Sequence, residues 1–544
     1  MKRMKATKIF MLLSFFVMIS CTELADQSYD NIIADQFKAS SDDVGALIAS
    51  AYIPWRDLFN KWQSYFWAQE ISTDELLIPK RPWGWVDDGG YRRFHYHQWT
   101  AEDAIIFTCW QRAYKGITTC NSVIYQIEND LVPTGEFKES ALAELKVLRA
   151  SYYWVLCDMY GNVPIVTSFD VPADYLPEQN TRQEVYDFIV KEITDNIDLL
   201  SEKNDQTTYG RMNKWVAHTL LAKIYLNAGV YTGSTRRDEC IAQCDAVINS
   251  GEYVLEGNQK NVFVTDNENS KEIIWAFVYD DNFLVQYWND WNAFDHHMQT
   301  LPQEMQSTYN LQNSPWGGIC AIPQFINTFD TVDDARFRDN WIRGVQYSSN
   351  GDVLIVQNGA QKGQVLNLKN VLPAVDTAEA NHGLRLGKFE YAKGSGAILN
   401  NDFPFFRYAD ILMMKAECML RNGNADGAAT LVTELRTRSF KSNPAKATVT
   451  GTNLMAGSTY NYGRRDVHGT TVEGGADIQY GRFLDELGYE FFQEAHRRQD
   501  LIRFGVFTSK SWLSHEPHGD HRALYPIPQV ERNKNSNLSQ NSGY

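Results

Sequence analysis

Residues 401–438 have the sequence NDFPFFRYADILMMKAECMLRNGNADGAATLVTELRTR, and this stretch decides the fold class. Ile411, Met414 and Cys418 are spaced as on one face of an α-helix, so the stretch predicts a helix of about four turns. Gly423 can adopt the positive φ that ends a helix. A second amphipathic helix is predicted from about residue 425 to 438. Together they form an antiparallel helical hairpin with the length of a tetratricopeptide-like repeat.

The hairpin pattern recurs elsewhere in the chain. The phrase LLAKIYLNAG, which ends at Gly229, has the same layout as MMKAECMLRNG, which ends at Gly423. We interpret these phrases as degenerate copies of one helical hairpin, three or four in all. Further helices are predicted, with approximate bounds, at residues 41–70, 102–128, 138–160, 182–200, 214–228, 238–248 and 483–495.

About 150 residues separate the two groups of predicted helices. Residues 251–400 have short strand-like runs at 272–278 and 353–356, Gly/Asn turns and few helical signals. The sequence therefore predicts a mostly α fold in one domain, 41–544. Helical repeats at about 41–250 and 401–507 carry a large loop-rich insertion, 251–400. An insertion of this size in a repeat scaffold usually carries the ligand site.

The N-terminus has the layout of a signal peptide. Four basic residues, Lys2, Arg3, Lys5 and Lys8, precede a short apolar run at 9–19. The run ends in Met-Ile-Ser-Cys, which resembles a bacterial lipobox, so Cys21 is predicted to carry lipid after removal of residues 1–20. Residues 21–40 would then be a tether to the outer membrane. Ordinary secretion with cleavage nearby is the alternative.

Charge and cysteine content exclude several classes of function. The leader contains four of the 51 basic residues and none of the 67 acidic ones, so the mature chain has a net charge of −20. Such a chain has no basic surface to neutralise the phosphates of a nucleic acid. The remaining cysteines lie mostly on apolar helical stretches, which predicts buried free thiols. No P-loop, Rossmann fingerprint or nucleophile elbow is present, and we predict no cofactor.

Two aromatic clusters are candidate sugar-binding sites. Flat rings match the C–H faces of sugars, while carboxylate, amide and guanidinium groups match their hydroxyls. The first cluster contains Asp74, Arg81, Trp83, Trp85, Asp87, Asp88 and Tyr91. The second contains Trp288 and Trp291, with Trp316 downstream. The alternative for each ring is loop packing against the helices.

Catalysis and metal binding have weaker support. Adjacent acids such as Asp333 and Asp334 are more often turn residues or ion-pair partners than the spaced carboxyl pair that glycoside hydrolysis needs. The phrase EAHRRQDLIRFG, residues 494–505, suggests a charge network at a helix end. His515, His518 and His521 have a spacing that alone is weak evidence for metal, and we predict none.

Several phrases together resemble the SusD/RagB family of outer-membrane nutrient-binding lipoproteins of Bacteroidetes. They are FFRYADILMMKAECMLRNG, LGYEFFQEAHRRQDLIRFGVF, LYPIPQ followed by NSNLSQNSGY, ELKVLRASYYWVLCDMYGNVPIV, WGGICAIPQFINTFDTVDDARF and STDELLIPKRPWGWVDDGGYRRFHYHQWT. The resemblance implies four tetratricopeptide-like hairpins and a sugar site at or near Asp74, Arg81, Trp83 and Trp85. It also implies a partner, a SusC-like TonB-dependent outer-membrane transporter.

Three interpretations of function follow. The first is a non-enzymatic, surface-exposed lipoprotein of the outer membrane that binds glycan and delivers it to the transporter. The second is a helical glycoside hydrolase with the same aromatic cleft. The third is a tetratricopeptide-type adaptor whose aromatic residues anchor a protein partner.

Overall fold

The computed structural model describes residues 41–60, 63–83, 87–280 and 294–544. The predicted signal peptide, Cys21 and the tether lie outside the described residues, as do Trp85, Trp288 and Trp291. Most regular structure in the described part is helical, and its strands are short. The prediction of a mostly α fold is therefore confirmed.

Most helices before residue 251 match the predicted segments, but residues 90–95 and 228–232 form two short helices that the sequence did not predict, and one predicted segment is broken. Residues 41–70 do not form one helix, because Pro54 lacks an N–H group and its ring would collide with the preceding turn of a continuous helix. The described helices here are α1 Ser41–Ser50, α2 Ile53–Asn60, α3 Tyr65–Glu70, α4 Gly90–His95, α5 Ala104–Glu128, α6 Lys138–Met159, α7 Arg182–Thr194, α8 Lys214–Leu226, α9 Ala228–Thr232 and α10 Arg237–Ser250.

The helices pack as neighbouring pairs. α5 packs on α6, α6 on α7, and α8 on α10. Close approach within the first pair depends on Gly116 of α5, because an added Cβ would lie 2.3 Å from the ring of Tyr152 on α6. That ring is fixed in place, since its hydroxyl donates to the carbonyl of Ala51 at 2.7 Å.

Residues 401–438 contain the predicted hairpin. Its two helices, α15 Tyr408–Arg421 and α16 Ala425–Thr437, pack on each other. Gly423, between them, has a φ of 87° as predicted. α15 also packs on α10, so the helices on either side of the insertion form one continuous stack.

The insertion is joined to this stack by a pair of buried strands. β4 Ile273–Phe277 pairs antiparallel with β10 Phe403–Arg407, which leads directly into α15. Aromatic rings of this pair meet those of α2: Trp55 stacks on Phe277 with ring centroids 5.3 Å apart, and Phe59 lies 4.4 Å from Phe403. Aromatic residues make up 13% of the chain, and many of them therefore belong to the core.

The rest of the insertion consists of short elements linked by turns. Its described helices are α11 His296–Thr300, α12 Gln306–Tyr309, α13 Pro323–Ile326 and α14 Ala335–Asn340. Its strands are β5 Cys320–Ala321, β6 Trp341–Ile342, β7 Gly344–Val345, β8 Asn367–Leu368 and β9 Arg385–Leu386. The earlier strands of the chain are β1 Leu76–Leu77, β2 Val163–Pro164 and β3 Gln179–Asn180.

The C-terminal region packs back onto the N-terminal helices. It contains α17 Gly451–Met455, β11 Arg465–Asp466, β12 Gly469–Thr470, α18 Gly481–Phe491, α19 Arg497–Arg503 and α20 Gln529–Lys534. The helix predicted to reach residue 495 ends at Phe491, because Gln493 and Ala495 adopt positive φ. The C-terminal tail, for which the sequence indicated no helix, contains α20, which begins after Pro528.

All seven cysteines of the described part are buried free thiols, as predicted. Within the described ranges, no helix has both the length and the apolar character needed to cross a bilayer.

Candidate functional site

The EAHRRQDLIRFG phrase forms part of the buried scaffold, as its charge pattern suggested. Arg498 pairs with Asp158 at 3.2 Å, and Arg503 pairs with Glu417 at 2.7 Å. These side chains are buried, and their partners come from distant helices. The motif therefore fixes helix packing and offers no open constellation for chemistry.

Asp74, a predicted ligand contact, belongs to the same scaffold. The Arg497 guanidinium donates to both of its carboxylate oxygens, at 2.7 and 2.9 Å, and the Tyr462 hydroxyl donates to it at 2.7 Å. The side chain is fully buried. Its carboxylate makes these hydrogen bonds inside the protein, so Asp74 does not form part of a ligand-binding surface.

Three short strands bring together the remaining parts of the first cluster. β1 pairs with β5, and Ala321 of β5 donates its N–H to the carbonyl of Leu384, next to β9. Arg81 follows β1, Gly317 precedes β5, and Arg385 begins β9. These residues, with Trp83, therefore line one small pocket, although they are far apart in the chain.

Trp83 forms part of the wall of this pocket, which we call the Trp83 pocket. Its ring lies against Gly317, where an added Cβ would be 3.4 Å from Trp83 Cζ3. The other lining residues include three with polar side chains, Gln303, Glu304 and Asn358. Trp83 is half-buried, so part of its ring remains accessible.

Trp316 stands beside this pocket, next to Gly317 in the chain. The segment is anchored on α11, because the N–H of Trp316 donates to the carbonyl of Met298 at 2.6 Å and that of Gly318 to Gln299 at 2.8 Å. The Trp316 side chain is half-buried. The structure thus places Trp83 and Trp316, from the two predicted clusters, in adjoining loops.

The other predicted residues are divided between the interior and the undescribed segments. Tyr91 is buried, with its ring 5.8 Å from that of Trp67, so it packs in the interior of the protein. Trp85, Trp288 and Trp291 lie outside the described residues and remain predictions.

Sequence reasoning missed Arg385. It lies in the phrase NHGLRLGKF, which has no aromatic cluster or motif to mark it. Arg385 is fully buried and donates to the carbonyls of His382, Gly383 and Ala380. Burial, followed by the charge of nearby Arg81, lowers the pKa of Arg385 to about 9.

A larger groove of about 560 Å³ lies elsewhere, between α1, α2 and the end of β4. Its walls are largely apolar, and two of its polar side chains are engaged: the Tyr52 hydroxyl and Arg211 both donate to Glu144. None of the predicted ligand residues within the described ranges lines it.

The three histidines of the HxxHxxH spacing do not converge. His515 is fully buried and stacks on Trp512, with ring centroids 4.0 Å apart, whereas His518 is exposed. No group of three or more His, Cys, Asp or Glu side chains in the described ranges is arranged to hold a metal ion.

Sequence comparisons identify relatives along the whole chain. A sequence model of the SusD family matches residues 271–544, and one described as starch-binding and associating with the outer membrane matches residues 69–226. The starch-binding protein SusD of Bacteroides thetaiotaomicron is 24% identical over 521 residues, covering 89% of this chain and 86% of the relative. SusD-like protein P25 of Formosa agariphila is 21% identical, covering 98% of both chains.

Solved structures show the same fold. Surface glycan-binding protein A of Bacteroides thetaiotaomicron in complex with laminarihexaose has a TM-score of 0.69 and 18% identity, covering 92% of this chain and 99% of that one. A SusD-like protein of Bacteroides fragilis has a TM-score of 0.70 and 18% identity, covering 94% and 98%. Since the SusD family model matches half of the sequence and the fold agrees throughout, the chain belongs to the SusD/RagB family.

Proposed function

We propose that the protein binds an oligosaccharide or polysaccharide at the cell surface and delivers it to a SusC-like TonB-dependent outer-membrane transporter. The observation that carries the binding proposal is that Trp83 lines one pocket with Gln303, Glu304 and Asn358, with Gly317, the neighbour of Trp316, against its ring. Aromatic rings beside amide and carboxylate groups are the chemistry that sugars need. Relatives described as starch-binding or laminarin-binding proteins support the same ligand class.

A single aromatic contact contributes little to the free energy of glycan binding, so several contacts are needed. One aromatic contact contributes about 0.5–1.5 kcal/mol beyond burial, whereas a millimolar site needs about 4 kcal/mol. Two rings with a few polar partners therefore reach the millimolar range. A polymer raises the effective affinity by repeated engagement.

Trp83→Ala is expected to weaken glycan binding by about 2- to 12-fold, the equivalent of about 0.5–1.5 kcal/mol. The measurement is retardation in native gels that contain polysaccharide, after a glycan-array screen has selected the polymer. Trp215→Ala is the matched control, because Trp215 is also a partly exposed tryptophan but lies on α8 in the helical stack. Equal retardation of Trp83→Ala and the parent protein would remove Trp83 from the site.

The membrane anchor in this proposal is the lipidated thiol of Cys21. Cys21→Ser is expected to abolish incorporation of labelled palmitate and to move the protein from the membrane fraction to the soluble fraction. Labelling that persists in the variant would contradict the anchor. Protease treatment of intact cells tests exposure at the surface.

The proposal includes no catalysis. Glycoside hydrolysis requires two carboxyl groups on opposite sides of the scissile bond. Among the described residues that line the Trp83 pocket, Glu304 is the single carboxylate. New reducing ends after incubation with a bound polysaccharide would favour the hydrolase alternative. Capture of a protein partner without retardation by any glycan would favour the adaptor.

A further inference from the structure

Two buried arginines meet at the base of the Trp83 pocket. The carbonyl of His382 accepts from Arg81 Nη2 at 3.0 Å and from Arg385 Nη1 at 2.8 Å. The other acceptors are also backbone carbonyls, those of Glu379 for Arg81 and of Gly383 and Ala380 for Arg385. Arg81 is 7% exposed and Arg385 is 0% exposed. Two cations are thus held side by side on neutral acceptors.

This arrangement differs from that of the other buried arginines. In the described part of the chain, Arg81 and Arg385 form no ion pair with a carboxylate. Every other buried arginine there does so: Arg149, Arg336, Arg407, Arg436, Arg438, Arg497 and Arg498. An unpaired buried charge destabilises the folded state, so buried arginines are usually paired with a carboxylate. Arg81 and Arg385 are not.

The nearby acids do not fill this role. Glu304 lines the pocket, but its carboxylate accepts from the N–H of Gln357 at 2.8 Å. The Glu379 carboxylate accepts from the N–H of Ala360 at 3.1 Å. Neither makes an ion pair with the two guanidinium groups. The lining residues therefore carry two positive charges against one negative charge.

The pocket also has room for a ligand atom beside the two cations. Its enclosed space is about 20 Å³, which accommodates one water-sized atom such as an oxygen. In the described residues, the Nε–H groups of both arginines lack an acceptor. Burial lowers the pKa of both side chains, as it does for a cation without a counterion.

We infer that the Trp83 pocket takes one oxygen of an anionic group of the glycan, either the carboxylate of a uronic acid or a sulfate ester, with the rest of the group at the pocket mouth and with Arg81 and Arg385 as its counterions. This inference rests on the proposed function, since the sugar ring that carries the group would stack on Trp83. A charged oxygen beside the two guanidinium groups is attracted by both positive charges, which a neutral hydroxyl is not. The preferred ligand is therefore an acidic polysaccharide.

The test changes the ligand first, so that folding of a variant is not at issue. Native gels contain polygalacturonate, alginate, chondroitin sulfate or neutral laminarin. The acidic polymer that binds best is compared with its carboxyl-reduced form and, when sulfated, its desulfated form. We expect at least tenfold weaker binding after removal of the recognised group, and the two treatments distinguish carboxylate from sulfate. Binding should also weaken several-fold between about 50 mM and about 500 mM NaCl.

Two outcomes of this binding experiment would contradict the inference. Equal or tighter binding of laminarin, without dependence on salt, overturns the inference and leaves the proposed function standing. Failure to bind any polysaccharide overturns both.

Variants then locate the effect. Arg81→Gln should lower affinity for the acidic polymer at least fivefold and reduce the salt dependence, and it should lower affinity for the neutralised polymer by a smaller factor. Arg343→Gln is the matched control, because Arg343 also donates to two backbone carbonyls but is exposed and does not line the pocket. Thermal melting verifies that both variants fold. A folded Arg81→Gln protein that keeps the full preference for the acidic polymer would contradict the inference.

Discussion

Arg407→Leu is expected to lower the free energy of unfolding by about 3–5 kcal/mol, because it removes the centre of a buried charge network. Arg407 Nη1 donates to Glu272 and to Glu490, both at 2.8 Å, and Nε donates to Glu494 at 2.7 Å. All four side chains are buried. Urea unfolding followed by circular dichroism measures the change.

The loss is large because three buried acids lose one of their cationic partners, and only Arg438, Arg336 and Lys388 remain to neutralise them. Burial alone would raise the pKa of Glu490, but Arg438 and Arg407 hold it well below its usual range. That carboxylate is therefore ionised in the folded protein. Without Arg407 it must lose its charge or remain underpaired in a medium that solvates it poorly.

Two comparisons separate this effect from general damage. Arg338→Leu removes an exposed arginine that pairs with its neighbour Asp339, and it should change stability by less than about 0.5 kcal/mol. Adding Glu494→Gln to Arg407→Leu should restore less than about 1 kcal/mol, because Glu494 is also the counterion of buried Lys388. An Arg407→Leu protein within about 1 kcal/mol of the parent would show that the network contributes little.

Trp55→Ala is expected to cost about 3–5 kcal/mol as well, for a different reason. The indole is fully buried at the junction of α2, α6, β4 and β10. It stacks on Tyr152 and Phe277, with ring centroids 5.3 Å away, and packs on Phe405 at 5.4 Å. Truncation leaves a cavity among rings that cannot collapse into it.

The indole N–H adds a polar contribution, since it donates to the Ser151 hydroxyl at 2.8 Å. Trp55→Phe should therefore cost less than Trp55→Ala, but still more than about 1 kcal/mol. Phe137→Ala serves as control, because Phe137 is 75% exposed and should contribute less than about 0.5 kcal/mol. Equal melting temperatures for Trp55→Ala and Phe137→Ala would contradict this account of the core.

The helical part of the fold could be predicted because helix formation is local. Apolar spacing located α15 and α16, and Gly423 marked the turn between them, where the structure has the expected positive φ. Predicted ends were wrong where the signal was not periodic, as at Pro54 and after Phe491. There, a ring without an N–H group and two positive-φ residues end the helices.

The candidate site could be predicted only in part. Residue type marked Trp83 and Trp316 as candidates in two separate clusters and gave Asp74 and Tyr91 the same status, without indicating that Trp83 and Trp316 lie in adjoining loops. The structure places both in the interior, Asp74 on Arg497, which is 423 positions away. Whether an aromatic or a carboxylate faces solvent depends on what packs against it, and composition does not contain that information.

By itself, the sequence determined the helical stack, the buried free thiols and the family, because these follow from periodicity, from apolar neighbours and from extended motifs. Only the tertiary structure decided which charges are paired. It joined Asp74 to Arg497 and left Arg81 and Arg385 together without a carboxylate, although the chain separates these residues by hundreds of positions. The physical reason is that a charge is stabilised by whatever the folded chain brings within a few ångströms of it, at any distance in sequence.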